Sequence, residues 1–248
     1  MRLKDRVAII TGGSRGIGRA TAEVFAQEGA EVIIADVLDA DGEAAAAAIR
    51  DADGKAWFAR TDVTKEEDCA GLMAVAEARW GRLDVLVNNA GVLRGAYLTV
   101  EELSRGVFQS VLDVNLVGTF LCTKYATPLL RRSAGGVVLC MASGAGVRGG
   151  SSSLAYGASK GGVQGLAFTL EYQLGALGIR VHTICPGGIA TPMKLENIAD
   201  GATHRGESPE TAVATARQSL GDPAGVGRVL AFLASTDADH VRGTVFTR

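Results

Sequence analysis

Thr11-Gly12-Gly13-Ser14-Arg15-Gly16-Ile17-Gly18 is the stretch that decides the fold, because it stands between the apolar run Val7-Ala8-Ile9-Ile10 and a helical pattern over residues 16–28. Its three spaced glycines allow a tight turn, a close approach of the backbone to a diphosphate, and close packing of helix on strand. The first turn of the helix adds free N–H groups and the positive end of its dipole. No Gly-Lys-Ser/Thr follows, so the loop is not of the Walker type. The stretch predicts a β-α unit that binds a nucleotide.

Apolar runs of strand length alternate with longer helical patterns along the rest of the chain. The runs are continuously apolar, which is typical of parallel strands covered by helices on both faces. They occupy residues 7–10, 32–35, 56–59, 83–87, 137–140 and 179–184. This alternation predicts a single-domain, doubly wound α/β Rossmann fold over residues 1–248, with a mostly parallel seven-stranded sheet and helices on both faces.

Two longer segments of the chain lack a clear strand. A helical region is expected from about residue 99 to residue 131. Residues 188–222 are polar and dotted with glycine. A small helical lid over the ligand site, at about residues 188–221, is the favoured interpretation of this second segment, with a surface insertion as the alternative.

The composition excludes several classes of protein. Of the 248 residues, 47% are hydrophobic, and 25 Lys and Arg against 27 Asp and Glu give a net charge of -2. This balance excludes a strongly basic nucleic-acid binder, and this hydrophobicity excludes a disordered chain. The 33 glycines exceed an average usage of about 7%, yet they form neither a collagen repeat nor a low-complexity run.

The cysteines and the N-terminus point to a reduced compartment. Cys69, Cys122, Cys140 and Cys185 show no Cys-x-x-Cys spacing and no nearby His, which indicates buried thiols rather than a disulfide scaffold or a zinc site. No metal is therefore expected. The first apolar run has only four residues, too few for a signal peptide or a membrane span. We expect a soluble cytoplasmic protein with no membrane partner.

Asp36 ends the second predicted strand, 18 residues after Gly18. A carboxylate at this position accepts hydrogen bonds from both hydroxyls of an adenosine ribose and repels a 2′-phosphate. Arg15 is the opposing signal, since a basic side chain in the loop suits the 2′-phosphate of NADP. A carboxylate that faces a phosphate is costly unless another group neutralises it. The sequence therefore favours NAD over NADP.

Further motifs follow the later strands in a fixed order. They are Asp62-Val63, Asn88-Asn89-Ala90-Gly91, Asn115, Ser143, Tyr156-Gly157-Ala158-Ser159-Lys160, and Pro186-Gly187 with Thr191. Together with the glycine loop, they make the chain resemble the short-chain dehydrogenase/reductase family in its compact form, over nearly its whole length.

The resemblance implies a role for each motif residue. Asn115, Ser143, Tyr156 and Lys160 would form the catalytic tetrad, with Asn115 holding a water beside Lys160. Asp62 would lie near the adenine amino group. The residues expected to contact the dinucleotide are Gly12, Ser14, Arg15, Gly16, Ile17, Gly18, Asp36, Asp62, Val63, Asn89, Ala90, Gly91, Tyr156, Lys160, Pro186, Gly187, Ile189 and Thr191.

Tyr156 and Lys160 carry the chemistry. They are four residues apart in a helical pattern and share one face. A free phenol has a pKa of about 10, and a nearby ammonium is expected to lower it. The pair can then accept a proton from an alcohol or return one to a carbonyl. Ser143 can polarise the substrate oxygen.

The expected reaction is NAD-dependent interconversion of a secondary alcohol and a ketone by hydride transfer. Two other functions stay open. One is an NADPH-dependent 3-oxoacyl-[acyl-carrier-protein] reductase, against which Asp36 speaks, and the other is a non-catalytic dinucleotide sensor. The partner is a small-molecule alcohol or ketone whose identity the sequence does not give. Arg94 and Arg148 are interpreted as solvated rather than as ligands for an acid group.

The helix expected over residues 154–177 is apolar or small nearly all round, which indicates a central or an interface helix. Since family members usually pack this helix on its copy, the resemblance implies a homotetramer, with a dimer as second choice. The chain departs from the family pattern in two places. Cys185 stands where Asn is common and is interpreted as buried packing, and Val245-Phe246-Thr247-Arg248 replaces Val-Asp-Gly-Gly, so the last strand is expected to be short or clipped.

Overall fold

Seven parallel strands form the central sheet of the computed structural model, which describes residues 1–247. The strands lie side by side in the order β3-β2-β1-β4-β5-β6-β7. Their bounds are β1 Val7–Thr11, β2 Glu31–Asp36, β3 Lys55–Arg60, β4 Val85–Asn88, β5 Val137–Met141, β6 Arg180–Pro186 and β7 Gly243–Thr247. The order reverses at β1 and β4, so the loops after these two strands diverge and leave a crevice at the carboxyl edge of the sheet.

Nine α-helices in the described part of the chain cover the sheet and extend from its carboxyl edge. Their bounds are α1 Gly16–Gln27, α2 Asp39–Asp51, α3 Glu66–Trp80, α4 Arg105–Leu112, α5 Gly118–Leu130, α6 Leu154–Gly175, α7 Pro192–His204, α8 Pro209–Arg217 and α9 Pro223–Ala234. The predicted α/β Rossmann fold with helices on both faces is confirmed.

Each face of the sheet carries its own hydrophobic core. Side chains of α1, α2 and α9, such as Phe25, Ile49 and Leu230, pack against one face. Side chains of α3, α5 and α6, such as Leu72 and Val163, pack against the other. Because both faces are covered, β1, β4 and β5 are buried along their whole length. This two-sided burial explains why the strands are continuously apolar in sequence.

The helical region expected over residues 99–131 is not one regular helix. It begins at Arg105, where the Ser104 side chain accepts a hydrogen bond from the Val107 N–H and caps α4. A π-helical turn, Asp113–Val117, then separates α4 from α5. Residues 105–130 are long and apolar enough to match a membrane span by length and hydropathy alone. They pack against α3, α6 and β4.

The last strand is not clipped. β7 contains five residues, and all five are in register with β6, from His182 opposite Gly243 to Pro186 opposite Thr247. The phenylalanine and valine of this segment supply the apolar side chains that an edge strand needs, so the departure from the family sequence does not prevent pairing. The segment expected to form a lid contains α7 and α8.

Candidate active site

A cavity of about 1240 Å³ lies at the carboxyl ends of the strands. Most residues that the sequence placed at the site line it, although they come from the carboxyl ends of six strands, the loops after them and helix α6. These lining residues are Gly12, Arg15, Gly16, Ile17, Asp36, Asp62, Val63, Asn89, Ala90, Gly91, Ser143, Tyr156, Lys160, Pro186, Gly187, Ile189 and Thr191. Ser14, Gly18 and Asn115 are not among the residues that line it.

The glycine loop forms a cradle that side chains would fill. Gly12 and Gly16 adopt positive φ angles of 62° and 56°, and a Cβ on Gly12 would lie 2.7 Å from the Ala90 Cα. A Cβ on Gly18 would collide with the carbonyl oxygen of Gly12. α1 begins directly after the loop with no side chain capping it, so its first N–H groups are available to an anion.

The buried hydroxyl of Ser14 bears on whether this loop can bind a dinucleotide. Ser14 is 1% exposed, and its Oγ has no hydrogen-bond partner among residues 1–247. A buried polar atom in a glycine loop at a helix N-terminus is suited to a phosphate oxygen. The residues present therefore fit the diphosphate of a dinucleotide, with the loop of Gly12 to Gly18 as its holder.

Thr11 and Asn89 tie the glycine loop to the loop after β4. The Thr11 hydroxyl oxygen accepts hydrogen bonds from the N–H groups of Asn89 and Ala90, both at 3.0 Å. The Asn89 side-chain amide donates in return to the carbonyl oxygens of Thr11 and Gly12, at 3.0 and 2.9 Å. The floor between the two loops is therefore a closed hydrogen-bond network.

Asp36 lies at the end of β2, with its carboxylate facing the glycine loop. One oxygen accepts from the Ser14 N–H at 3.1 Å, and the other from the N–H groups of Val37 and Leu38 at 2.8 and 3.2 Å. These three donors fix the carboxylate in place at the wall of the cavity.

Arg15 forms an ion pair with a neighbouring residue. In the sequence, this arginine is the signal that opposes an NAD assignment. Its guanidinium lies 2.6 Å from a carboxylate oxygen of Asp41 in α2. The next arginine along this rim, Arg60, donates to the Val37 carbonyl oxygen at 2.8 Å and to Asp39 at 3.2 Å. Both cations beside Asp36 are thus paired with acids of α2.

Asp62 and Val63 form the wall next to this rim. Burial acts to raise the pKa of the Asp62 carboxyl, but hydrogen bonds from the Thr64 hydroxyl and N–H outweigh burial and leave the pKa below its ordinary value. The carboxylate is therefore an ionised acceptor at neutral pH. Val63 packs against Gly118 at the start of α5, where a Cβ would lie 2.7 Å from a Val63 methyl.

Tyr156 and Lys160 lie one turn apart on α6, as the spacing predicts. The Lys160 Nζ is 5.6 Å from the centroid of the Tyr156 ring and donates to the Met141 carbonyl oxygen at 2.7 Å. Burial lowers the pKa of Lys160 to about 8, with a small opposing effect from Cys185 and Cys140. The ammonium is therefore mostly protonated at neutral pH, because its pKa lies only slightly above that pH.

Burial, rather than Lys160, is the main influence on the pKa of Tyr156 in this structure. Burial raises the pKa of Tyr156, and the opposing influence comes from a hydrogen bond with Ser143 rather than from the ammonium. Sequence spacing shows which residues are neighbours but not how strongly the fold removes them from water. The Ser143 oxygen also accepts from the Ala145 N–H at 3.1 Å.

Asn115 is fully buried in the π-helical turn, and its side chain is fully engaged. Its Oδ1 accepts from the Val92 N–H at 2.8 Å, and its Nδ2 donates to the Val92 carbonyl oxygen at 3.1 Å and to the Ser159 hydroxyl at 2.9 Å. The amide thus joins the loop after β4 to α6 at Ser159, which lies between Tyr156 and Lys160 in the chain. The water-holding role of Asn115 stays a prediction.

The loop after β6 forms the opposite wall. Gly187 donates to the Thr247 carbonyl oxygen at 2.9 Å, so the last strand anchors the start of this loop. Thr191 caps α7 by accepting from the Lys194 N–H at 3.2 Å, and its methyl carbon would lie 3.2 Å from a Cβ on Gly16. Cys185 is 1% exposed, as expected for packing, and burial raises the pKa of its thiol.

One cluster at the site carries no motif, and the Arg148 side chain lies outside the cavity. Tyr97, Ser152 and Asn197 line the cavity and hydrogen-bond to one another, although no motif marks them. Arg148 does not line it, because its guanidinium lies 3.2 Å from the centroid of the Phe246 ring on β7. Among residues 1–247, no group of three or more His, Cys, Asp or Glu side chains is placed to hold a metal ion.

Comparison with known proteins settles the family. A model of the short chain dehydrogenase family matches residues 6–201. The chain belongs to the short-chain dehydrogenase family. It is 39% identical over 244 residues to tropinone reductase-like 1 of Erythroxylum coca, covering 98% of this chain and 88% of that protein. It is 37% identical to cis-4-hydroxycyclohexanecarboxylate dehydrogenase of Sinomonas cyclohexanicum, covering 97% of this chain and 94% of that protein.

A solved structure gives the same result. The crystal structure of levodione reductase superposes with a TM-score of 0.91 at 34% identity, covering 99% of this chain and 96% of that one. This short-chain dehydrogenase is therefore an oxidoreductase that acts on CH–OH groups with a nicotinamide cofactor.

Proposed function

We propose that this short-chain dehydrogenase interconverts a ring-borne secondary alcohol and its ketone with NAD, and that Tyr156 is the general acid and base. The arrangement of Ser143, Tyr156 and Lys160 is the observation that carries this proposal. It sets a half-buried phenol, a hydroxyl and an ammonium along the wall of the cavity that the glycine loop also lines.

The nicotinamide, when bound, supplies or accepts the hydride. Side chains of the protein donate and accept the proton. In the reduction direction, the Tyr156 hydroxyl donates its proton to the carbonyl oxygen as that oxygen gains charge. Ser143 donates a hydrogen bond to the same oxygen, while its own oxygen accepts from the Ala145 N–H. Lys160 places a positive charge 5.6 Å from the centroid of the Tyr156 ring, where it attracts the negative charge left on the phenolate.

NAD is the proposed cofactor because Asp36 and Asp41 set the charge at the part of the cavity that is expected to bind the adenosine ribose. Asp36 is fixed by three N–H donors and places negative charge where a 2′-phosphate would lie. Arg15, which would compensate that phosphate, is paired with Asp41. The rim thus suits two ribose hydroxyls better than a phosphate.

A ring-borne alcohol is proposed as the substrate class on two grounds. The part of the cavity beside Tyr156 is lined by small residues, Gly144, Ala145, Gly187 and Gly188, which leaves room for a bulky group. The relative from Sinomonas cyclohexanicum is named for a hydroxycyclohexane carboxylate.

The proposal is tested by assaying the purified enzyme with NAD and with NADP against cis-4-hydroxycyclohexanecarboxylate and a panel of cyclic alcohols. We expect a higher kcat/KM with NAD, and Tyr156→Phe should lower kcat by about 10² to 10⁴ while NADH still binds. Tyr125→Phe is the matched control, because it removes a phenol hydroxyl that bonds Glu66 far from the cavity. Unchanged turnover in Tyr156→Phe would refute the catalytic role, and faster turnover with NADPH and a 3-oxoacyl thioester would refute the proposed substrate and cofactor.

A further inference from the structure

Three segments meet at the substrate end of the cavity, around Tyr97. The loop after β4 contributes Tyr97, the loop after β5 contributes Ser152, and helix α7 contributes Asn197. The Tyr97 N–H donates to the Ser152 carbonyl oxygen at 2.7 Å, and its hydroxyl donates to the Asn197 carbonyl oxygen at 3.0 Å. One tyrosine therefore bridges two active-site loops and the lid helix.

The side chains of Ser152 and Asn197 complete this bridge. The Asn197 Nδ2 lies 3.0 Å from the Ser152 hydroxyl, and its Oδ1 lies 3.3 Å from the same oxygen. Asn197 is only 7% exposed, although it lies on a helix at the surface. We call Tyr97, Ser152 and Asn197 the clasp.

The clasp is built around a strained residue and a glycine that makes room for it. Tyr97 has a φ of +63°, in the left-handed region that residues other than glycine rarely adopt. A Cβ on Gly201 of α7 would collide with the Tyr97 hydroxyl and lie 2.8 Å from its Cζ. The tyrosine ring also stacks on His204, with centroids 5.6 Å apart. Strain of this kind persists where surrounding contacts over-determine the conformation.

The same segment connects the clasp to the catalytic helix. Ser153, next to Ser152, donates from its hydroxyl to the Arg94 carbonyl oxygen at 2.6 Å. Its oxygen accepts from the Tyr156 N–H at 3.2 Å and so caps the N-terminus of α6. The residues that hold the lid are therefore adjacent to those that fix the helix of Tyr156.

We propose that Tyr97 is a positioning and specificity-determining residue, which holds helix α7 over the substrate end of the cavity and sets the size of the space beside Tyr156. This inference rests on the proposed function, because it assigns a role within the same site. Tyr97 acts through the lid rather than on the reacting atoms. The lid is held before substrate arrives, so its loss weakens substrate binding more than the chemical step.

The first test compares Tyr97→Ala and Tyr97→Phe with the control Tyr125→Phe. We expect Tyr97→Ala to raise the KM for the alcohol by about tenfold, since a small misplacement of a positioned wall is enough for that. The change in kcat should be smaller, and the Kd for NADH should stay within about twofold because the clasp lies away from the glycine loop. Tyr97→Phe, which keeps the ring against Gly201, should recover much of the loss.

The second test uses the close approach of Gly201. Gly201→Ala should displace the tyrosine ring and raise KM much as Tyr97→Ala does. In the Tyr97→Ala background, the same methyl meets only the flexible end of the Arg205 side chain, at 3.2 Å, and should add little, so the two effects are non-additive. Gly71→Ala on α3 is the control, because a Cβ there meets nothing within 4 Å.

Hydrogen exchange of residues 192–204 separates this inference from the proposed function. Faster exchange of α7 amides in Tyr97→Ala, without turnover or ligand, reports release of the lid. Unchanged exchange, or additive effects of Gly201→Ala and Tyr97→Ala, would overturn the role of the clasp. Absence of alcohol turnover in the unmodified enzyme would overturn the proposed function, whereas the exchange result would still decide whether Tyr97 holds the lid.

Discussion

The Lys160 ammonium donates a hydrogen bond to the carbonyl oxygen of Met141 at 2.7 Å, across the gap between α6 and the end of β5. A neutral main-chain oxygen thus receives a buried charge, and burial lowers the pKa of Lys160 to about 8 from 10.5. A folded-state pKa below the unfolded value means that the charged lysine opposes folding below pH 8, and that this cost disappears as the pH rises toward 10.5.

Lys160→Met should therefore lose most of its activity but fold stably. Turnover should fall by about 10² or more, since the cation beside the phenol is lost. The free energy of unfolding of the unmodified enzyme should rise by roughly 1 kcal/mol per pH unit above pH 8 relative to Lys160→Met. Urea unfolding at pH 7, 8 and 9 measures this difference. Parallel pH profiles for the two proteins would show that Lys160 is not desolvated as the structure indicates.

Removing the acids of the adenosine rim should relax the preference for NAD. Asp36→Asn should raise kcat/KM for NADP by about tenfold, which corresponds to 1.4 kcal/mol of removed repulsion. Asp41→Asn should free Arg15 for a 2′-phosphate, and the double variant should exceed either single one. Asp237→Asn is the control, because it breaks a surface pair with Arg2. If Asp41→Asn leaves the NADP rate unchanged in both backgrounds, Arg15 plays no part in selection.

His182 should make the protein sensitive to acid. It is 1% exposed in β6, and neither ring nitrogen has a hydrogen-bond partner among residues 1–247. Burial, aided by Arg180 and Arg242, lowers the pKa of His182 to about 4 from 6.5. A lowered pKa gives stability that is complete above pH 6.5 and is lost as the pH falls toward 4.

The measurement is the free energy of unfolding at pH 7.0 and pH 4.5. The unmodified protein should lose roughly 2 kcal/mol more than His182→Leu over this interval. The leucine variant should also be more stable at neutral pH, since it removes two unpaired buried nitrogens. His240→Leu, at an exposed histidine, should leave the pH slope unchanged, and an equal slope in His182→Leu would contradict the assignment.

The outer face of α6 should mediate assembly. Phe168 and Tyr172 are 55% and 87% exposed, and Phe120 on the neighbouring α5 is 46% exposed. Exposed aromatic residues at this density mark an interaction surface. The unmodified protein should be a tetramer by light scattering, and Phe168→Asp should convert it to smaller species. Val75→Asp, at an exposed valine of α3, should not. A monomeric unmodified protein would refute the prediction.

The sequence predicted those parts of the structure that depend on local pattern. The strand of Val7 to Thr11, the glycine loop and the pairing of Tyr156 with Lys160 follow from periodicity and spacing, and the structure brings them together. The π-helical turn at Asn115 did not follow, because a single inserted residue leaves the hydrophobic period almost unchanged. The expected break in the last strand was also wrong, since pairing with β6 depends on the partner strand.

Two site properties depend on the tertiary structure alone. The pKa of Tyr156 rises because the fold removes the phenol from water, and spacing along α6 carries no information on that burial. The clasp of Tyr97, Ser152 and Asn197 joins residues up to 100 positions apart, and a tyrosine gives no sequence signal for a positive φ. Glycine marks such positions reliably, but here the bulky residue is the strained one.

The network between Thr11 and Asn89 has a thermodynamic consequence. A flexible loop that orders only on binding loses conformational entropy at that moment, roughly 1–2 kcal/mol for each backbone residue fixed. Here the Asn89 amide already holds the Thr11 and Gly12 carbonyls, and the Thr11 hydroxyl already holds the next loop. The conformational entropy of these loops is therefore lost during folding and not on binding, so it does not weaken the affinity for the dinucleotide.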